Sequence, residues 1–170
     1  MAEWVVVYCN KSVADLRDAD LLRELRSADL LMLAEAAGLE DEVAERAAEQ
    51  LRFERTVTNS GFLSTELHYG AQLRPIQIRR DSAPLEATQE VIDTLPDIIH
   101  PGLASIRRHL HSTVECVSFE LSAEAAQGMA DILVEVLAFF VAQRGAGIVN
   151  FYGNAWFSPE NRRRSIWQPA

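Results

Sequence analysis

The chain has 170 residues, 48% apolar and 24% charged, with 16 basic and 25 acidic residues giving a net charge of -9. That composition suits a soluble globular domain and excludes a disordered chain. The acidity argues against a general binder of nucleic acid or anionic membrane, since both require positive charge.

The first predicted element is Trp4–Cys9, a β-branched and aromatic run that reads as a central strand buried on both faces. Helical periodicity begins near Asp18, with Leu21, Leu22, Leu25, Leu30, Leu31 and Leu33 at spacings of three and four, and Gly38 ends it. Asp41–Leu51 is a second amphipathic helix. Val43, Ala44, Ala47, Ala48 and Leu51 form its apolar stripe, and Asp41, Glu45 and Glu49 form an acidic ridge.

A meander follows. Arg52–Val57 and Phe62–Tyr69 are strands joined at Asn59-Ser60-Gly61, with Leu63, Thr65, Leu67 and Tyr69 on one face of the second and Glu66 and His68 on the other. Glu54 and Glu66 are carboxylates that this meander can set opposite each other. Gly70-Ala71 predicts a two-residue hairpin into Leu73–Arg80, and Pro75 predicts that this third strand is an edge.

Ser82 and Pro84 suit the start of a helix to about Leu95, and a short helix lies around Leu103, Ile106 and Leu110. Val114–Leu121 reads as a strand with Val117, Phe119 and Leu121 on one face. Ser122 is placed to cap a long apolar helix, Ala123–Arg144, ended by Gly145-Ala146-Gly147. Ile148–Tyr152 and Ala155–Ser158 form a hairpin closed by Gly153-Asn154. The expected fold is a single α+β domain over residues 1–158, with an antiparallel or mixed sheet and helices mainly on one face. A sub-boundary falls near 81–84, and residues 159–170 form a polar tail, solvated or folded back on the acidic helices, which Trp167 can pin.

No stretch of about 18 apolar residues is present, and Met1-Ala2-Glu3-Trp4 lacks the basic and apolar regions of a signal peptide. With two distant cysteines, Cys9 and Cys116, and arginine used almost to the exclusion of lysine (Lys11 is the only one), we expect a reduced, bacterial, cytoplasmic protein. Each cysteine lies in a predicted strand without a cation nearby in sequence, so both read as buried core residues.

The sharpest motif is His109-x-His111-x-x-x-Glu115, whose spacing resembles the first metal motif of the cupins, with Gly102 where that motif has a glycine. No further histidine follows His111, and the residues before His109 have helical periodicity. We therefore expect no metal at His109, His111 and Glu115, no cofactor and no catalytic residue. Serine elbows, phosphate loops and dinucleotide fingerprints are absent. Arg162-Arg163-Arg164 makes only a weak basic footprint.

Val114–Ser158, a strand, a long apolar helix and an aromatic hairpin, resembles the C-terminal part of small acidic bacterial proteins that are uncharacterised or of the immunity type, inhibitors that protect a cell from a polymorphic toxin. The resemblance spans about a quarter of the chain, rests on general pattern and transfers no site residue. It implies stoichiometric protein binding without catalysis. The leading expectation is a non-enzymatic binding module, immunity or adaptor in type, using Asp41, Glu45 and Glu49 against a protein with a basic surface. The alternatives are a small metal- or ligand-dependent enzyme built on His109, His111 and Glu115, and a self-assembling structural subunit.

Overall fold

A computed structural model describes residues 1–57, 63–83, 85–125 and 128–170. In chain order its elements are β1 (Ala2–Cys9), α1 (Asp18–Ser27), α2 (Leu30–Ala36), α3 (Asp41–Gln50), β2 (Arg52–Val57), β3 (Leu63–His68), β4 (Ile76–Ser82), α4 (Leu85–Thr94), α5 (Pro101–His111), β5 (Glu115–Ser122), α6 (Met129–Arg144), β6 (Gly147–Phe151) and β7 (Ala155–Phe157). The strands form one antiparallel sheet in the order β2-β3-β4-β5-β1-β6-β7, and the class is α+β, as the sequence patterning predicts. The chain divides into two compact units, 1–4 with 16–79 and 118–137, and 5–15 with 80–117 and 138–170.

In the first unit the helical stretch from Asp18 to Gly38 is two helices rather than one. Asp29 accepts a hydrogen bond from the Met32 amide at 3.0 Å and so caps α2, breaking the run after Ser27. Gly38, at φ +74°, ends α2 in the left-handed conformation that the sequence anticipates. Leu21 and Leu25 of α1, Leu30 of α2, and Ala44 and Ala47 of α3 supply the buried side of these helices.

The meander has the expected pairing, with Phe53 opposite Leu67 and Leu67 opposite Ile76 on one face. Two details differ. The β3–β4 connection is not a two-residue turn. Gly70 accepts from the Leu73 amide at 3.3 Å, and the chain does not enter β4 until Ile76. Pro75 therefore precedes the strand and removes no ladder donor, so β4 sits between β3 and β5 and is not an edge. The Asn59-Ser60-Gly61 turn, Phe62 and Pro84 lie outside the described residues.

The long helix also begins later than expected, at Met129. Ser122 Oγ does accept from the Ala125 amide at 3.3 Å, but Ala123 and Glu124 form a turn, and Gly128, a poor helix former, directly precedes α6. Leu133, Val134 and Leu137 are fully buried in the first unit. Ser82, expected to cap α4, is instead the last residue of β4.

In the second unit α4 and α5 pack Ile92, Leu103, Ile106 and Leu110 with Tyr8, Ile148 and Trp156. Phe151 pairs with Ala155, so the β6–β7 loop holds three residues, with Tyr152 at φ 56° and Gly153 at φ 74°. Residues 160–164 and 168–170 of the C-terminal segment are exposed, but Ile166 and Trp167 are half-buried and anchored. The Trp156 amide donates to the Trp167 carbonyl at 2.9 Å and the Ile166 amide to the Trp156 carbonyl at 2.6 Å, which fixes the segment alongside β7. Trp167 and Ile166 pack on the same apolar cluster.

Candidate functional site

The acidic ridge is a charged surface of the first unit. On α3 the 3.6-residue period that buries Ala44 and Ala47 turns Asp41, Glu45 and Glu49 outward, and all three are exposed. Asp41 and Glu42 occupy the first turn, where their charge suits the positive end of the helix dipole. Beside the ridge α1, α2 and α3 leave an open cleft of about 280 Å³. Leu25, Leu30, Ala44 and Ala48 are among its apolar lining, and Arg26, Asp29 and Glu45 are its charged lining. Leu31, Met32 and Val43, large apolar residues of α2 and α3, are also exposed.

The second surface lies on the meander. Glu54 of β2 stands opposite Glu66 of β3, and Glu66 opposite Gln77 of β4, while Arg52 stands opposite His68. Because strand side chains alternate, these residues share the face away from Phe53, Leu67 and Ile76. A hydrogen-bonded chain runs across the strands. Ser64 Oγ donates to Gln77 Oε1 at 2.7 Å, and Gln77 Nε2 donates to Glu66 Oε1 at 2.7 Å. His68 Nε2 lies 3.2 Å from Glu66 Oε2 and 3.4 Å from Glu54 Oε2. Arg52 Nε donates to Glu54 Oε1 at 2.8 Å, and that bond, with the charge of His68, holds the Glu54 carboxyl below the usual carboxylate range. Of the three ligand-bearing side chains, Glu66 and His68 are about four-fifths covered and Glu54 is half exposed.

The alternation of Glu66 and His68, and the opposition of Glu54 and Glu66, are visible in the sequence. The contributions of Arg52, Gln77 and Ser64 are not, because they depend on the strand register across β2, β3 and β4.

The His109, His111 and Glu115 motif is drawn in different directions. His109 Nε2 donates to the Tyr8 carbonyl at 2.8 Å, with the Asn10 amide 3.3 Å from Nδ1, and burial lowers the pKa of the ring. Glu115 accepts from Ser12 Oγ and from the Val13 amide, each at 2.6 Å, which ties the β1–α1 connection. His111 is exposed in the last turn of α5. Gly102 has a packing role: a Cβ there would collide with the Ile166 carbonyl oxygen of the C-terminal segment.

The two cysteines are free thiols, Cys9 buried and Cys116 half-buried. Burial first, then the charges of Cys116 and Glu115, pushes Cys9 up to about 12, and burial with the charge of Asp81 pushes Cys116 up to about 11. Neither is an activated nucleophile. Of the arginine triplet, Arg162 stacks over the Phe139 ring at 4.8 Å.

The chain matches no family model, no curated protein and no solved structure. Function has therefore to be argued from these two surfaces. Among the described residues, no helix is long and apolar enough to cross a membrane.

Proposed function

We propose that the chain is a non-enzymatic, cytoplasmic protein-binding module of immunity or adaptor type. Its binding surface is the exposed side of α3 together with the cleft beside it. The observation that supports this reading is the position of Glu45, which belongs both to the acidic ridge and to the wall of an apolar cleft. A surface that sets apolar area beside an acidic ridge suits an amphipathic segment of opposite charge. The partner would insert leucine-like side chains over Leu25, Leu30 and Ala48 and set lysine or arginine against Asp41, Glu45 and Glu49. Long-range attraction then speeds encounter, and apolar burial holds the complex.

A helical peptide with leucines at spacings of three and four and lysines on its other face is a direct probe, followed by amide shifts in an isotope-labelled sample. Shifts should concentrate on α2 and α3 and weaken with salt. Changing Asp41, Glu45 and Glu49 together to lysine should reduce affinity at least tenfold without loss of helix. A peptide of equal charge lacking leucine should not bind. Equal binding of the peptide to wild type and the triple variant at low salt would make the ridge a merely solvated face.

A further inference from the structure

We propose that Glu54, Glu66 and His68 form a site for one divalent first-row transition-metal ion, bound through Glu54 Oε2, Glu66 Oε2 and His68 Nε2 on the open face of the meander. The proposal goes beyond the binding reading above and uses none of its residues.

Among the described residues, this is the group of acidic and imidazole side chains whose ligand atoms all lie within 4.8 Å of one another. The separations from nitrogen to oxygen, 3.2 and 3.4 Å, match the spacing of about 3.4 Å between ligand atoms bonded at about 2.1 Å in a tetrahedral shell. One imidazole nitrogen and two carboxylate oxygens are a donor set of borderline softness, suited to zinc or manganese. Magnesium, by contrast, favours six oxygens in an octahedron.

The surrounding bonds orient the set. Each carboxylate has one oxygen held from outside, Glu66 Oε1 by Gln77 and Glu54 Oε1 by Arg52, and the other oxygen turned to the imidazole. Gln77 is itself held by Ser64, which is only 3% exposed. Such outer bonds fix ligand geometry before the ion arrives. Charge sets this group apart from its neighbour in the same unit. Glu120 receives two guanidinium groups, Arg74 at 3.5 Å and Arg79 at 3.7 Å. Glu54 receives one, Arg52 at 2.8 Å. Three protein ligands leave a fourth position, on the side of the half-exposed Glu54, for water or an exchangeable anion.

The test is calorimetric titration of the full chain with zinc after treatment with a chelator, with cobalt absorption as an independent reading of coordination. One ion per chain should bind with micromolar or tighter affinity, and cobalt should give the visible bands of a four-coordinate site. His68→Ala and Glu66→Gln should abolish both signals, and Gln77→Ala should weaken binding about 10- to 100-fold. Glu54→Gln, at the half-exposed ligand, gives a second reading should either of the first two variants lose its fold. The variant with lysine at positions 41, 45 and 49 should bind zinc as wild type does, which separates this site from the ridge. Absence of saturable binding below about 100 μM, or binding that survives in all folded ligand variants, would overturn the proposal.

Discussion

Leu137 shows what a single side chain contributes in this chain. It is fully buried in the middle of α6. Leu137→Ala removes transfer energy and leaves a cavity that a close-packed core cannot refill, so a denaturant melt should lose about 2–5 kcal/mol. A loss below about 1 kcal/mol would mean that the site collapses freely. The thiols give a second test at this scale. Cys9 is raised to about 12 and Cys116 to about 11, from 9.0, so both stay protonated well above neutrality. Labelling of native protein at pH 8 by a thiol reagent should be slow and limited by opening of the structure. The sign of the linkage follows. A folded pKa above the unfolded one means that the native state holds its proton longer. The contribution is complete below about pH 9, where both states are protonated, and is lost as pH rises from there towards 12. Stability should therefore fall on the alkaline side, and a Cys9→Ala variant should fall less steeply.

Among the elements, the C-terminal segment shows best where sequence reasoning stops. Its composition is polar, and a polar run next to an acidic chain reads as solvated. Trp167 was the one residue able to signal otherwise, and it does pair with Trp156. The rest of the attachment is backbone, through Ile166, Trp156 and Trp167, and backbone pairing leaves no mark on residue type. Gly102 carries the only other trace, since the Ile166 carbonyl approaches it too closely for any side chain. Gly102→Ala should therefore push the segment off β7 and cost about 1–3 kcal/mol, as overpacking does. Hydrogen exchange at the Trp156 and Ile166 amides should then lose its protection while the amides of α6 keep theirs. Retained protection at both would show that the segment can shift without releasing its hydrogen bonds. Elsewhere legibility follows the same division. Strands and helices with a buried face, such as β5 with Val117, Phe119 and Leu121, are plain in the pattern. The start of α6, the β3–β4 connection and the break at Asp29 depend on local hydrogen bonds that compete with the pattern and win. The Glu54–Glu66–His68 group was half legible for that reason: alternation set which face each residue takes, and register brought them together.

For the whole molecule, charge is the property with the widest consequence. An excess of nine acidic charges makes the folded chain repel itself, and α3 concentrates part of that excess. Glu45 lies four residues from both Asp41 and Glu49, a spacing at which like charges cost an isolated helix a few tenths of a kcal/mol per pair. Asp41 offsets some of this by sitting at the positive end of the helix. Salt screens both the repulsion and the surface ion pairs that oppose it, such as Arg55 with Asp18 and Arg52 with Glu54. The repulsion should prevail, because exposed pairs contribute little and acidic residues outnumber basic ones 25 to 16. The melting temperature should therefore rise as salt is increased from about 10 to 150 mM, where the screening length falls from about 30 to 8 Å. Changing Asp41, Glu45 and Glu49 to lysine removes three negative charges, adds three positive ones and brings the net charge from -9 to -3. That variant should melt with a visibly smaller salt dependence, though its own stability should change little, since relief along the ridge is set against loss of the favourable charge at Asp41. If the two proteins respond to salt alike, self-repulsion along the ridge is not what sets the salt dependence of stability.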